Sequence, residues 1–114
     1  MKFSATRETV LKPLHAVIGV VERRQTMPIL SNILLVADDN KLTVTATDLE
    51  VELRAETEAT VESSGEITVP GRKLHDICRA LPDGVELGFT VTGDRVVVKA
   101  GRSRFTLSTL RAAD

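Results

Sequence analysis

The apolar residues of this chain repeat at a fixed offset, and no other feature limits the fold as tightly. Adding 54 to each apolar position of one stretch lands on those of another: Leu42 on Val96, Val44 on Val98, Ala46 on Ala100, Val51 on Phe105 and Leu53 on Leu107. Ile33 and Leu35 likewise land on Leu87 and Phe89. The helical stretches need an offset of 63, which takes Leu11 to Leu74 and Leu14 to Ile77; the nine extra residues are a longer helix-to-strand loop in the first half. Each half therefore reads β-α-β-β-β, over about 1–62 and about 65–110, parted by Ser63-Ser64-Gly65. One helix per unit covers one face of its strands. The expectation is a single α+β domain with pseudo-twofold packing, both helices on one side of antiparallel sheets.

Local patterns place the elements. Lys2, Phe3, Ser4 and Ala5 alternate as a short strand does. Thr6 is a candidate N-cap with Glu8 in the first turn, and Val10, Leu11, Leu14, Val17, Ile18 and Val21 recur at helical spacing. Pro13 lies inside that run and predicts a kink or a later helix start. Glu22 to Pro28 reads as a loop, Ile33–Ala37 as a strand, and Asp38-Asp39-Asn40 as a turn. Leu42, Val44 and Ala46, then Val51, Leu53 and Ala55, read as a hairpin broken at Thr47-Asp48-Leu49-Glu50. The second half gives a strand at Gly65–Val69, a helix at Gly71–Leu81 and a stop at Pro82-Asp83-Gly84. Strands at Val85–Val91, Arg95–Ala100 and Arg104–Leu110 follow, with turns at Thr92-Gly93-Asp94 and Gly101-Arg102-Ser103.

Composition excludes several classes of function. The 114 residues suit one core rather than two. Three Phe, with no Trp or Tyr, leave nothing for a base-stacking platform. A formal charge of −1 argues against coating nucleic acid by bulk electrostatics, so any such role needs an asymmetric charge distribution. A single cysteine allows no internal disulfide and fits a reducing compartment. The N-terminus has no apolar signal-peptide core, and no run is long enough to span a bilayer. The expectation is a cytoplasmic protein with no membrane partner.

The charges are segregated. On a helical wheel Leu74, Ile77, Cys78 and Leu81 fall on one side, Arg72, His75, Asp76 and Arg79 opposite, and Lys73 at the flank. In the first helix Thr9, Lys12, Ala16, Gly19 and Arg23 oppose the apolar stripe. From Asp48 to Glu66 there are seven acids (Asp48, Glu50, Glu52, Glu56, Glu58, Glu62 and Glu66) and one base, Arg54. This pattern predicts a basic helical side and an acidic strand side. Basic side chains contact phosphates without reading sequence.

Other chemistry finds little support. The wheel puts Cys78 on the buried side and His75 on the outer side, so they do not converge as a nucleophile and base. His15, His75 and Cys78 do not make a zinc spacing. Asp48, Glu50 and Glu52 alternate on one strand face, a pattern open to weak cation binding but expected of a solvated outer face, and there is no phosphate-binding glycine loop or G-x-S-x-G. The chain reads as a non-enzyme with no cofactor or metal.

Four separated segments together resemble the N-terminal domain of the bacterial DNA polymerase III beta subunit, the DNA sliding-clamp family. They are TMPILSNILL (Thr26–Leu35), LTVTATDLEVEL (Leu42–Leu53), VPGRKLHDICRALP (Val69–Pro82) and GRSRFTLSTL (Gly101–Leu110), in register from Met1. The resemblance implies a ring of two subunits, each with three such domains, helices lining the hole and duplex DNA passing through. Through the full-length clamp it implies DNA polymerase III, the clamp loader and repair proteins as partners. Arg24, before Thr26-Met27-Pro28, matches a DNA-contacting position, whereas Arg23 departs from the pattern. Arg72 and Arg79 match basic positions facing the hole, and Lys12 joins them as a DNA-binding candidate. Phe105 and Leu107 match the apolar pair of an edge strand that packs on the other subunit, with Lys73, Arg102 and Arg104 as charged partners. Arg111 stands where the family has proline. The second and third domains, which supply the partner-peptide pocket and the surface receiving Phe105 and Leu107, would lie beyond Asp114.

Two questions stay open at this level. The repeat equates Phe105 and Leu107 with Val51 and Leu53, so one of the pair could belong to the domain's own core. The rival reading is a protein-interaction domain that adds a strand to its edge without DNA, and an exposed edge can also pair with a second copy of itself.

Overall fold

The computed structural model describes residues 1–23, 32–47 and 52–108, and the side chains of all of these except 19–23 and 47. The order of elements is β1 (Lys2–Thr6), α1 (Arg7–Arg23), β2 (Asn32–Asp38), β3 (Lys41–Thr47), β4 (Glu52–Glu58), β5 (Thr60–Ser63), β6 (Gly65–Pro70), α2 (Gly71–Ala80), β7 (Glu86–Thr92), β8 (Arg95–Ala100) and β9 (Ser103–Ser108). One antiparallel sheet runs β5-β1-β7-β8-β9 and the other β4-β3-β2-β6. Each half thus sends its first strand into the other half's sheet. β1 pairs with β7, Phe3 opposite Phe89; β6 pairs with β2, Ile67 opposite Leu35. Both sheets and both helices fill one core, which includes Phe3, Val10, Leu14, Leu35, Val44, Val69, Leu74, Phe89 and Val98.

Local chemistry explains the boundaries. Thr6 caps α1: its Oγ1 accepts from the Thr9 N–H at 3.3 Å. The helix starts at Arg7 and continues through Pro13, so the later start does not occur. Pro13 is itself buried between Val10 and Leu14, and that packing offsets the missing hydrogen bond. Asp39 and Asn40 both have positive φ, 51° and 55°, as a two-residue hairpin turn requires. Asn40 also holds the corner where the chain leaves β4. Its carbonyl accepts from the Ala59 N–H at 3.2 Å and its Oδ1 from the Val61 N–H at 3.2 Å. Strand β5, beyond that corner, is not anticipated by the sequence reading.

The α2 wheel needs correction at one residue. Gly71, Leu74, His75 and Cys78 are the buried positions, and His75 is only 6% exposed. The expectation of a surface histidine fails because α2 packs on α1 as well as on β2 and β6. A second neighbour rotates the buried stripe. The His75 ring stacks on His15 of α1, centroids 5.9 Å apart and planes 22° from parallel. Its Nε2 has no hydrogen-bond partner. Burial first, and then the charges of Arg79 and His15, hold the imidazole's pKa below its ordinary 6.5; Asp76 opposes this and Arg72 adds to it.

At the far end of the helix pair an arginine ties α1 to α2. The Arg7 side chain is 14% exposed. Its Nε–H donates to the Cys78 carbonyl at 2.6 Å, and a terminal N–H reaches Glu8 at 2.8 Å and Asp83 at 3.0 Å. Glu8 in turn accepts from the Gly84 N–H at 2.9 Å, and its bond from Arg7 is the main reason its pKa is lowered. This arrangement satisfies a carbonyl in the last turn of α2 with a cation, which the helix dipole favours.

Arg7→Ala removes the charged hydrogen bond to Cys78 and is expected to lower stability by about 2 kcal/mol in urea unfolding. Arg7→Lys should recover less than half, since an ammonium cannot span three acceptors in one plane. The buried histidine gives a pH signature. The folded chain binds the His75 proton more weakly than the unfolded chain does. Stability therefore falls as pH drops below about 6.5, by at most about 1.4 kcal/mol per pH unit, and levels off once the folded imidazole is protonated. His75→Phe should show a smaller loss between pH 7.5 and pH 5 than the parent chain; equal losses would place the effect elsewhere.

Candidate nucleic-acid interface

The outward face of the helix pair is built from few residue types. From α1 it presents Lys12, His15 and Ala16, and from α2 Arg72, Lys73, Asp76 and Arg79, all exposed. Arg72, Arg79 and His15 all act electrostatically on His75, which places them around one helix–helix seam. Arg72 pairs with Asp76 one turn on, at 3.3 Å and well exposed, an ion pair of small energy. Four cations and one acid make this face positive. The exposed positions of β4, β5 and β6 carry Glu52, Glu56, Glu58, Glu62 and Glu66 against Arg54. The expected segregation of charge is thus partial: the helical face is positive and β4, β5 and β6 are acidic, but Lys2, Lys41, Arg95, Lys99 and Arg104 are exposed on β1, β3, β8 and β9. Asp48, Glu50, Arg24 and Arg111 lie outside the described residues, as does the side chain of Arg23.

β9 is an edge strand, hydrogen-bonded among the described strands only to β8. Its two apolar residues differ. Leu107 stands opposite Val96 and is 6% exposed, a member of the core. Phe105 stands opposite Val98 and is half-buried, packed against the core and open along the strand's free side. The open question about this pair therefore resolves toward Leu107 as core. Arg102 and Arg104 are exposed on the turn and strand beside them. Lys73 is exposed on α2, on a different element.

Among the described residues the sulfur and histidine side chains do not assemble as a nucleophile with a base. The Cys78 thiol is fully buried, and burial pushes its pKa up to about 11, where a thiolate nucleophile is unavailable. A broad open cleft lies between the sheets, lined by Ser4, Thr6, Thr9, Asn40, Lys41 and Glu58. Its Thr6 and Thr9 hydroxyls bond to each other at 2.7 Å, and it contains no histidine or cysteine. No cluster of three metal-binding side chains occurs among the described residues, nor a helix long and apolar enough to cross a membrane.

One surface residue escapes the sequence reading. Leu53 is 39% exposed, the one large hydrophobic so placed among the described residues. Its repeat counterpart is Leu107, so the offset of 54 contains the signal. What the sequence does not contain is which of the two is covered.

Comparison with known proteins gives the affiliation. Residues 1–114 match the family described as DNA polymerase III beta subunit, N-terminal domain. The chain is 58% identical over 116 aligned residues to the beta sliding clamp of Pseudomonas aeruginosa, covering 100% of this chain and 31% of that protein. It is 51% identical to the beta sliding clamp of Escherichia coli at the same coverage. Among solved structures, the DNA polymerase III subunit beta of Pseudomonas aeruginosa superposes with a TM-score of 0.94 at 54% identity, and the DNA polymerase sliding clamp of Caulobacter crescentus with 0.95 at 47%. Both cover 100% of this chain and 31% of the solved one, so the chain spans about a third of the length of these relatives. A match across every residue, at this identity and with this superposition, leaves one assignment: the chain belongs to the family of DNA polymerase III beta subunit N-terminal domains.

Proposed function

We propose that this chain is the first module of a clamp that encircles duplex DNA and keeps a polymerase on it. The observation that carries the reading is the positive face of the helix pair in a protein of net charge −1, with acids gathered on the exposed positions of β4, β5 and β6. A ring holds DNA by closure. Its lining then needs only weak, mobile contacts, and scattered lysines and arginines over phosphates supply them without reading bases. Lys12, Arg72 and Arg79 would make those contacts, and the family resemblance adds Arg24 and Arg23 as further candidates. β9 would be the subunit edge. Phe105 would enter the partner, Leu107 would support it from the core, and Lys73, Arg102 and Arg104 would surround the seam. A protein working on bacterial DNA would act in the cytoplasm, where DNA polymerase III and the clamp loader would engage the full-length clamp. No step is catalytic.

Strand addition without DNA uses the same β9 edge but assigns no role to the helical face. The two readings separate on the helices. Titration of the chain with duplex DNA at low salt should move the amide resonances of α1 and α2 around Lys12, Arg72 and Arg79. Raising salt fourfold should weaken this on the order of a hundredfold for four phosphate contacts. Arg72→Glu with Arg79→Glu should abolish it. Shifts confined to β9, or indifferent to salt, would remove the DNA reading.

The edge assignment predicts an unequal pair. Leu107→Ala should lower the chain's own stability by about 3 kcal/mol, as loss of a buried leucine does. Phe105→Ala should cost about 1 kcal/mol, yet weaken association at the β9 edge more than Leu107→Ala does in sedimentation.

A further inference from the structure

Two imidazoles occupy the seam between α1 and α2, and only one of them faces solvent. His15 of α1 is exposed; His75 of α2 is 6% exposed, its ring stacked on that of His15 with centroids 5.9 Å apart. The His75 Nε2 atom is buried with no hydrogen-bond partner among the described residues. A proton placed there would meet no acceptor, and burial, then the charge of Arg79, holds that ring neutral. Most charges around the pair are of one sign. α2 supplies Arg72, Arg79 and Asp76, and Asp76 is engaged by Arg72 at 3.3 Å. α1 supplies Lys12, three residues before His15, and Glu8, two turns before it, which Arg7 and the Gly84 N–H hold. The strands packed on the two helices turn uncharged sides toward them: Phe3 of β1, Leu35 of β2, Val44 of β3, Ala55 of β4 and Val69 of β6. The seam therefore has one solvent-facing group whose charge can change near neutral pH, set among three cations that cannot change theirs there.

We propose that His15 is a proton-linked phosphate contact: as a phosphate of duplex DNA meets the helix face, the ring takes up a proton from solvent and donates a charged hydrogen bond to a phosphate oxygen, while the neutral His75 ring beneath holds it over the seam. An anion that reaches Lys12, Arg72 and Arg79 favours the charged form of any imidazole beside it. Both ring nitrogens are donors in that form, and a charge-assisted bond is stronger than a neutral one. Linkage fixes the direction. If the bound phosphate favours the proton, the proton favours the bound phosphate by the same factor. Affinity for DNA therefore rises as pH falls, and levels off once the ring of the free chain is itself protonated. The stacked neighbours thus respond to acid in opposite senses: His75 weakens the fold, and His15 strengthens the contact. This inference rests on the DNA half of the function proposed above, and not on its subunit-edge half.

Titration with duplex DNA at constant low salt, at about pH 7.5 and about pH 5.8, tests it through the amide resonances of α1 and α2. The parent chain should bind about fivefold more tightly at the lower pH, against a ceiling of about tenfold per pH unit for one proton taken up. At about pH 6.5 the His15 ring signals should move toward their protonated positions as DNA is added. His15→Gln cannot take up a proton and should bind equally at both pH values. His15→Arg, a permanent cation, should also bind equally at both, and more tightly than His15→Gln. His75→Phe keeps a neutral ring under His15 and lessens the acid lability of the fold, so its pH response should match that of the parent. A response that survives His15→Gln overturns the inference. So does one that vanishes in folded His75→Phe, which would put the proton on His75. Helix amides that move with DNA equally at both pH values also overturn it, and leave the DNA reading standing. Helix amides that move at neither pH remove the DNA reading and the inference with it.

Discussion

The exchange of first strands between the two halves is the constraint on which the rest of this structure depends. β1 lies beside β7 and β6 beside β2, so neither half can complete a sheet alone. The exchange is held by packing at equivalent places. Phe3 stacks on Phe89 with ring centroids 4.5 Å apart and planes 8° from parallel, and Ile67 sits opposite Leu35. With so few aromatics, one such contact in the middle of a five-stranded sheet carries much of the registration. A slip by one residue would turn Phe3 out of the core and Lys2 or Ser4 into it. Two β-α-β-β-β units that could have been two small, marginal domains become a single one.

That exchange also decides where charge can sit. Two sheets welded in this way bring both helices together, and α1 meets α2 along a seam. Each helix then has two buried neighbours and a narrow exposed strip. Long cations suit such a strip, because their stems cover apolar surface while their heads stay in water. The strands, with one face in the core, turn the other toward solvent, and on β4, β5 and β6 carboxylates predominate there. A positive face on a neutral protein is thus produced by topology together with a simple rule of placement.

Much of this architecture is legible in the sequence, for identifiable reasons. Strand alternation through Leu42, Val44 and Ala46 is sharp because one face is dry and the other wet. The helices announce themselves by Thr6 as cap and by Gly71 to Leu81 between proline-marked ends. The failures have physical causes too. β5 is hidden because Ala55, Thr57, Ala59 and Val61 keep one uninterrupted period-two pattern, while the chain changes sheets at a corner held by Asn40. Period two records that a chain is extended, not which sheet it joins. His75 is misplaced because a wheel assumes one buried direction and α2 has two. Phe105 and Leu107 look alike in sequence because burial at an edge depends on what stands beside the strand. In the candidate site, Lys12, Arg72 and Arg79 are read correctly as exposed for the simplest reason, that nothing in the core can pair them.

Free strand edges are the remaining consequence of the exchange. In a closed sheet every strand finds two neighbours. Here each half lends one strand and accepts one, and among the described residues the open sheets end in β5 and β9 on one side and β4 and β6 on the other, so that the last strand of each half, β4 or β9, is an edge. Near-symmetry of the fold makes the two edges alike in backbone, and only side chains can distinguish them. They do so at matched positions: Leu53 is open where its counterpart Leu107 is covered. The flanking charges are acidic on one side and basic on the other. Identical edges on a near-twofold domain would pair indiscriminately, giving β4–β4, β9–β9 and mixed contacts of similar strength. Opposite charges at matched positions therefore distinguish the two outer strands of a nearly symmetric domain.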